Sequence, residues 1–159
     1  MVIIFTDGSA RGNPGAGGWG AIIAREFEVR EIGGRDPYTT NNKMELTAAI
    51  ESLKTLEVGV SVTLYTDSEY VMKGMTEWVS NWQKNGWKTA SRKSVENQDL
   101  WRDLLSASNG KNIEWKYVVA HSGNEANERC DEIATRFADN LSLDLYTGKR
   151  GTYPINLQA

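Results

Sequence analysis

Two short β-rich runs, Val2 to Thr6 and Val60 to Thr66, each stop on an aspartate, and between them the apolar spacing changes from that of a strand to that of a helix. A chain that switches period in this way is constrained to an α/β architecture in which strands and helices share one core. Leu46, Ala49, Ile50, Leu53 and Leu56 recur at three- and four-residue intervals, which predicts a helix over Asn41 to Glu57. Gly8 to Gly18 holds five glycines and Pro14 and reads as a turn-rich connection, after which Trp19 to Arg25 and Val29 to Ile32 pair as two more strands. Beyond Asp67 the pattern predicts a short helix from Ser68 to about Met75, a helix from Gln98 to Ser108 and a strand from Ile113 to Ala120. A loop, His121-Ser122-Gly123, precedes a last helix marked by Ala126, Cys130, Ile133, Ala134, Phe137 and Ala138. The order is βββαβα, a helical excursion, then βα, which gives five strands in one mixed sheet flanked by helices. Leu143 to Ala159 turns irregular, with Gly148, Gly151 and Pro154, and is expected to lie over the surface.

At 159 residues one compact domain is expected, and 40% hydrophobic with 25% charged residues argues against disorder. Cys130 is the single cysteine, so an internal disulfide and a cysteine-based zinc site are excluded and a reducing compartment is favoured. The opening run Val2-Ile3-Ile4-Phe5 follows no basic leader and is far short of a membrane span, so a cytoplasmic protein is expected. Nothing calls for more than a monomer. The net charge of -3 offers no global attraction for nucleic acid, but Lys84 to Lys93 carries four basic and no acidic side chains.

In open α/β sheets ligands sit beyond the carboxyl ends of the strands, which is where Asp7 and Asp67 fall. Glu45 flanks the buried stripe of its helix, and Asp131 holds the same flanking place beside Cys130 on the last helix. Four acids can therefore meet in one cleft. Clustered carboxylates repel unless a cation joins them, and hard oxygen donors select Mg²⁺ or Mn²⁺ over zinc. Two such ions about 3.5–4 Å apart stabilise the attacking and leaving oxygens of an in-line displacement at phosphorus. Acids after strands also serve as helix caps, and acids on helices are commonly solvated, so spacing alone leaves both readings open.

The motifs in order resemble the ribonuclease H family, bacterial type 1 class. They are Thr6-Asp7-Gly8-Ser9 with Gly12-Asn13-Pro14-Gly15, Thr40 to Leu46, Tyr65-Thr66-Asp67-Ser68, Asn81-Trp82 through Gly86-Trp87-Lys88, and His121-Ser122-Gly123 through Asn127 to Asp131. The resemblance implies a ribonuclease H-like fold over residues 1–142, with a basic protrusion at about 78–95 and a tail at 143–159. It implies an endonuclease that cuts the RNA strand of an RNA–DNA hybrid, with Asp7, Glu45, Asp67 and Asp131 binding two Mg²⁺ ions, Mn²⁺ being a possible substitute. His121, the only histidine, is assigned proton shuttling or product release on its glycine-containing loop.

A hybrid is read through its shallow minor groove, where amide side chains meet 2'-hydroxyls. The resemblance supports Asn13, Asn41 and Asn42 as readers, with Thr40 near a phosphate; Asn13 and Asn41 also suit a turn and a helix start. Trp82, Lys84 and Lys88 are the expected contacts to the DNA strand, with Arg92 and Lys93 adding charge, whereas Trp78 and Trp87 are expected to hold the protrusion on the body. Glu69 stands where the family commonly has glutamine, and a carboxylate cannot donate a hydrogen bond. The rival readings are a silent hybrid-binding module and another nuclease of the same fold.

Overall fold

A computed structural model describes all residues from Met1 to Ala159. The sheet has six strands in the order β5-β4-β1-β2-β3-β6. They are β1 (Val2–Arg11), β2 (Gly15–Ala24), β3 (Glu28–Thr39), β4 (Ser61–Thr66), β5 (Asn112–Tyr117) and β6 (Thr147–Lys149). β1 runs parallel to β4, and β4 to β5, whereas β1, β2, β3 and β6 form an antiparallel meander. The helices are α1 (Asn41–Lys54), α2 (Glu69–Lys73), α3 (Val79–Asn85), α4 (Gln98–Ser108) and α5 (Glu125–Ala138), with a single π turn, Gly74–Trp78, joining α2 to α3.

Period-two alternation in the central strands builds two cores. Val2, Ile4, Ala21 and Ile23 face α1 and α4, while Phe5, Ile22, Ala24 and Val29 face Ala126 and Cys130 of α5. Caps set the helix starts: Thr40 Oγ1 accepts from Lys43 N at 3.2 Å, Ser68 Oγ from Val71 N at 3.1 Å and Asn124 Oδ1 from Asn127 N at 2.9 Å.

Three expectations are corrected. The sheet has a sixth strand, because the tail returns and pairs Glu28, Val29 and Arg30 of β3 with Lys149, Gly148 and Thr147. The tail is therefore partly ordered into the sheet, and its Tyr146, Tyr153, Ile155 and Leu157 pack against the α5-side core. Most of the glycines between Gly8 and Gly18 do not form turns. β1 continues to Arg11, β2 begins at Gly15, and the turn is confined to Gly12, Asn13 and Pro14. The reason is close approach: a Cβ on Gly8 would run into Glu45 N, and one on Gly20 would stand 2.6 Å from Ile133 Cβ and 2.8 Å from Cys130 O. These glycines are the seats on which α1 and α5 rest.

Candidate active site

Asp7 follows the last β1–β4 pair, Thr6 with Thr66, and Asp67 follows Thr66 on the neighbouring strand. The parallel register thus sets the two aspartates side by side at one sheet edge. Glu45 lies in the second turn of α1, whose backbone is seated directly on Gly8, the residue after Asp7. A carboxylate oxygen from each of Asp7, Glu45 and Asp67 lies within 4.8 Å of the others.

The electrostatics of this triad are unfavourable without a cation. Asp7 is only 5% exposed, and its pKa is pushed up to about 9 by burial and then by the charges of Asp67 and Asp131, with one opposing hydrogen bond from Gly8 N at 2.9 Å. Burial, followed by the charges of Asp7 and Asp67, also drives Glu45 well above the carboxylate range. Glu45 Oε1 and Asp67 Oδ1 are buried and accept no hydrogen bond. Two orphaned carboxyl oxygens facing a third acid, with no basic side chain paired to any of them, fit the donor set of a divalent-metal site.

Asp131, expected as a fourth acid, stands outside that tight triad but close enough for its charge to raise Asp7. α5 crosses β1 here: Cys130 Sγ donates to Phe5 O at 3.4 Å, and Gly20, the partner of Asp7 in β2, receives the helix. His121 is exposed on the loop between β5 and α5, with a left-handed backbone at φ 56.

Three of the residues expected at the groove share one cavity at the start of α1. Asn13, Thr40, Asn42 and Lys43 line a wholly polar cavity of about 360 Å³ together with Glu96 and Asn97. Asn41 Oδ1 accepts from Ala10 N at 2.6 Å, and Asn13 Oδ1 accepts from Asn41 N at 3.1 Å. Both amides thus brace the loop with their oxygens and keep their NH₂ groups free of intramolecular acceptors. Sequence reasoning misses Asn97; an asparagine directly before the expected helix start at Gln98 is the one available signal, and the structure gives it a left-handed backbone at φ 57.

The segment from Trp78 to Val95 is held to the body by aromatic packing. Trp82, expected mainly as a substrate contact, is part-buried among Trp78, Trp87 and Trp101, with ring centroids 5.7, 6.0 and 5.4 Å away. It also helps line a groove of about 490 Å³ with Lys84 and Lys88. Trp87 is 6% exposed and carries the Arg102 guanidinium 4.7 Å above its ring, in keeping with an anchoring role. Lys84, Lys88, Arg92 and Lys93 are exposed and enter no ion pair.

Comparisons with known proteins bear on the family and the fold. The RNase H family profile matches residues 1–139. A ribonuclease H of Alcanivorax borkumensis is 52% identical over 140 residues, covering 88% of this chain and 93% of its own length. One of Francisella tularensis subsp. novicida is 50% identical over 135 residues, covering 85% and 89%. Among solved structures, LC9-RNase H1, a type 1 RNase H with the type 2 active-site motif, superposes with a TM-score of 0.79 at 32% identity, over 94% of this chain and 74% of that one. LC11-RNase H1, solved in complex with an RNA/DNA hybrid, gives 0.69 at 25% identity, over 88% and 98%.

Proposed function

Since the chain belongs to the ribonuclease H family, we propose that it is an endonuclease that hydrolyses the RNA strand of RNA–DNA hybrids and leaves 5'-phosphate and 3'-hydroxyl ends. The observation that carries this reading is the Asp7-Glu45-Asp67 triad, in which Asp7 is buried and two buried oxygens, Glu45 Oε1 and Asp67 Oδ1, have no partner. Asp7, Glu45, Asp67 and Asp131 hold the divalent cations, for which Mg²⁺ is proposed and Mn²⁺ is the expected substitute. When bound, such a pair activates water and stabilises the leaving oxygen of an in-line displacement at phosphorus.

The chain's own residues supply the rest. His121, free in solvent on its loop, takes up or returns a proton and eases product departure. Asn13, Asn41 and Asn42 meet minor-groove hydroxyls, and the NH₂ groups of Asn13 and Asn41 are free to donate because their oxygens already accept from the backbone. Thr40 Oγ1 accepts from Lys43 N and keeps its own proton for a phosphate. Lys84, Lys88 and Trp82 hold the DNA strand. Contacts of this kind read backbone and groove shape, so no base code is expected. Residues 1–142 are taken as the catalytic unit, with the protrusion at about 78–95 and 143–159 as a tail. A cytoplasmic monomer is the proposed setting; Cys130 is a buried free thiol, and no helix is long and apolar enough to cross a membrane.

The test is gel-resolved cleavage of a labelled RNA–DNA hybrid, with duplex DNA and duplex RNA as controls, in Mg²⁺, in Mn²⁺ and in excess chelator. Internal cuts confined to the hybrid's RNA strand and abolished by chelation are expected. Binding without cutting would reassign the chain to a silent hybrid-binding module.

A further inference from the structure

Outside the carboxylate site, the one deeply buried acid is Glu31 on β3, whose side chain is 1% exposed. It accepts four hydrogen bonds: from Arg129 Nε at 2.7 Å and Nη2 at 2.8 Å, from Tyr153 OH at 2.7 Å and from Tyr146 N at 2.8 Å. Its own backbone N–H donates to Tyr146 O at 2.8 Å. Burial opposes its charge, but the Arg129 fork, the phenol and the backbone donor outweigh burial and hold Glu31 below the usual carboxylate range. Arg129 is held in turn by two further acceptors, with Nη1 on Glu132 at 2.6 Å and Nη2 also on Asp144 O at 3.0 Å.

The place of this clasp gives it a consequence beyond stability. Glu31 pairs with Ile22 across β2–β3, and Ile22 pairs with Phe5 across β1–β2. That row crosses the sheet two residues before Asp7. Arg129 fastens α5 to its outer end and the next residue, Cys130, fastens the helix to Phe5 O, so the following residue, Asp131, is delivered beside the triad from a doubly anchored turn. A freely rotating α5 would carry that carboxylate away, because one residue advances the side chain by about 100° around the axis.

We propose that Glu31 and Arg129 are positioning residues for the metal-holding acids, setting α5 so that Asp131 faces Asp7, and that the tail from Tyr146 to Tyr153 completes the clasp. The proposal rests on the reading of the four acids as the metal site. It makes the tail part of the catalytic apparatus at a distance, since two of the four donors to Glu31 come from it.

The experiment titrates Mn²⁺ into the protein by calorimetry and measures hybrid cleavage against Mg²⁺ concentration, for wild type, Glu31→Gln and Tyr153→Phe, each with and without Asp131→Asn. Outer groups that orient metal ligands are typically worth 10–100-fold in affinity or activity. Glu31→Gln is expected to weaken Mn²⁺ binding and raise the Mg²⁺ requirement by roughly 10-fold. Tyr153→Phe, which keeps the ring and removes one donor, shifts both the same way by less, and carries the comparison if Glu31→Gln does not fold. In the Asp131→Asn background neither substitution adds a further shift, because residues acting through one partner are not additive. Metal curves that coincide with wild type while Tm falls, or shifts that persist undiminished with Asp131→Asn, would overturn the clasp. A wild type that neither binds Mn²⁺ nor cleaves would overturn the active-site reading itself and the clasp with it.

Discussion

Replacing Asp7 with asparagine is expected to stabilise the metal-free protein while abolishing cleavage. Asp7 has a folded pKa of about 9 against an ordinary 3.8 and is almost wholly buried. A carboxyl that holds its proton more tightly folded than unfolded favours the fold fully below about pH 4, and that contribution is withdrawn as pH climbs toward 9. At pH 7 the unfolded chain has released the proton and the folded chain has not, a difference of about 4 kcal/mol for the roughly three pH units above the ordinary value. Asp7 titrates together with its neighbouring acids, so a reduced ~2 kcal/mol is assigned to Asp7→Asn, whose amide matches the neutral acid in shape. For a domain of this size that is a rise in Tm of roughly 4–8 °C. The assay is thermal unfolding of both proteins in excess chelator from pH 5 to 8. The gap should widen with pH, and Mg²⁺ should narrow it by binding wild type alone. A lower or unchanged Tm for Asp7→Asn at pH 8 in chelator would refute the electrostatic reasoning.

Gly8→Ala forces a methyl group into Glu45 N and the Met44 backbone, so it should cost about 1–3 kcal/mol and lift Glu45 away from Asp7; denaturant unfolding and cleavage rate should both fall. Joint neutralisation of Lys84, Lys88, Arg92 and Lys93 should weaken hybrid binding and flatten its log–log salt dependence by up to about 1 for each phosphate no longer neutralised. An unchanged slope would make that face merely solvated. His121→Ala should slow cleavage by about 10²–10⁴-fold with the fold intact, a smaller loss than for Asp7→Asn, because water substitutes in part for the missing proton carrier. Equal losses would place His121 among the indispensable groups.

Much of the site is legible in the sequence because its pieces are carried by local patterns. The apolar stripe from Leu46 to Leu56 locates α1 and, one residue before it, Glu45; two β-runs each end on their aspartate. The stripe of α5 follows directly from three- and four-residue spacing. The glycines from Gly8 to Gly18 read as turns because glycine signals both a bend and a close approach, and only the packed helix distinguishes them. Trp82 reads as an exposed contact because its neighbours in sequence are basic, whereas its neighbours in space include Trp101.

Local chemistry in the sequence determined the element types, their order and the acids that end strands or flank a helix stripe, since propensity and period act over a few residues. Tertiary structure alone decided that β6 closes on β3, that Glu31 meets Arg129 across 98 residues of chain, and that Asp131 stands beside rather than within the triad. Those outcomes depend on register and helix height, which arise only when distant segments bury one another and each buried charge must find a partner.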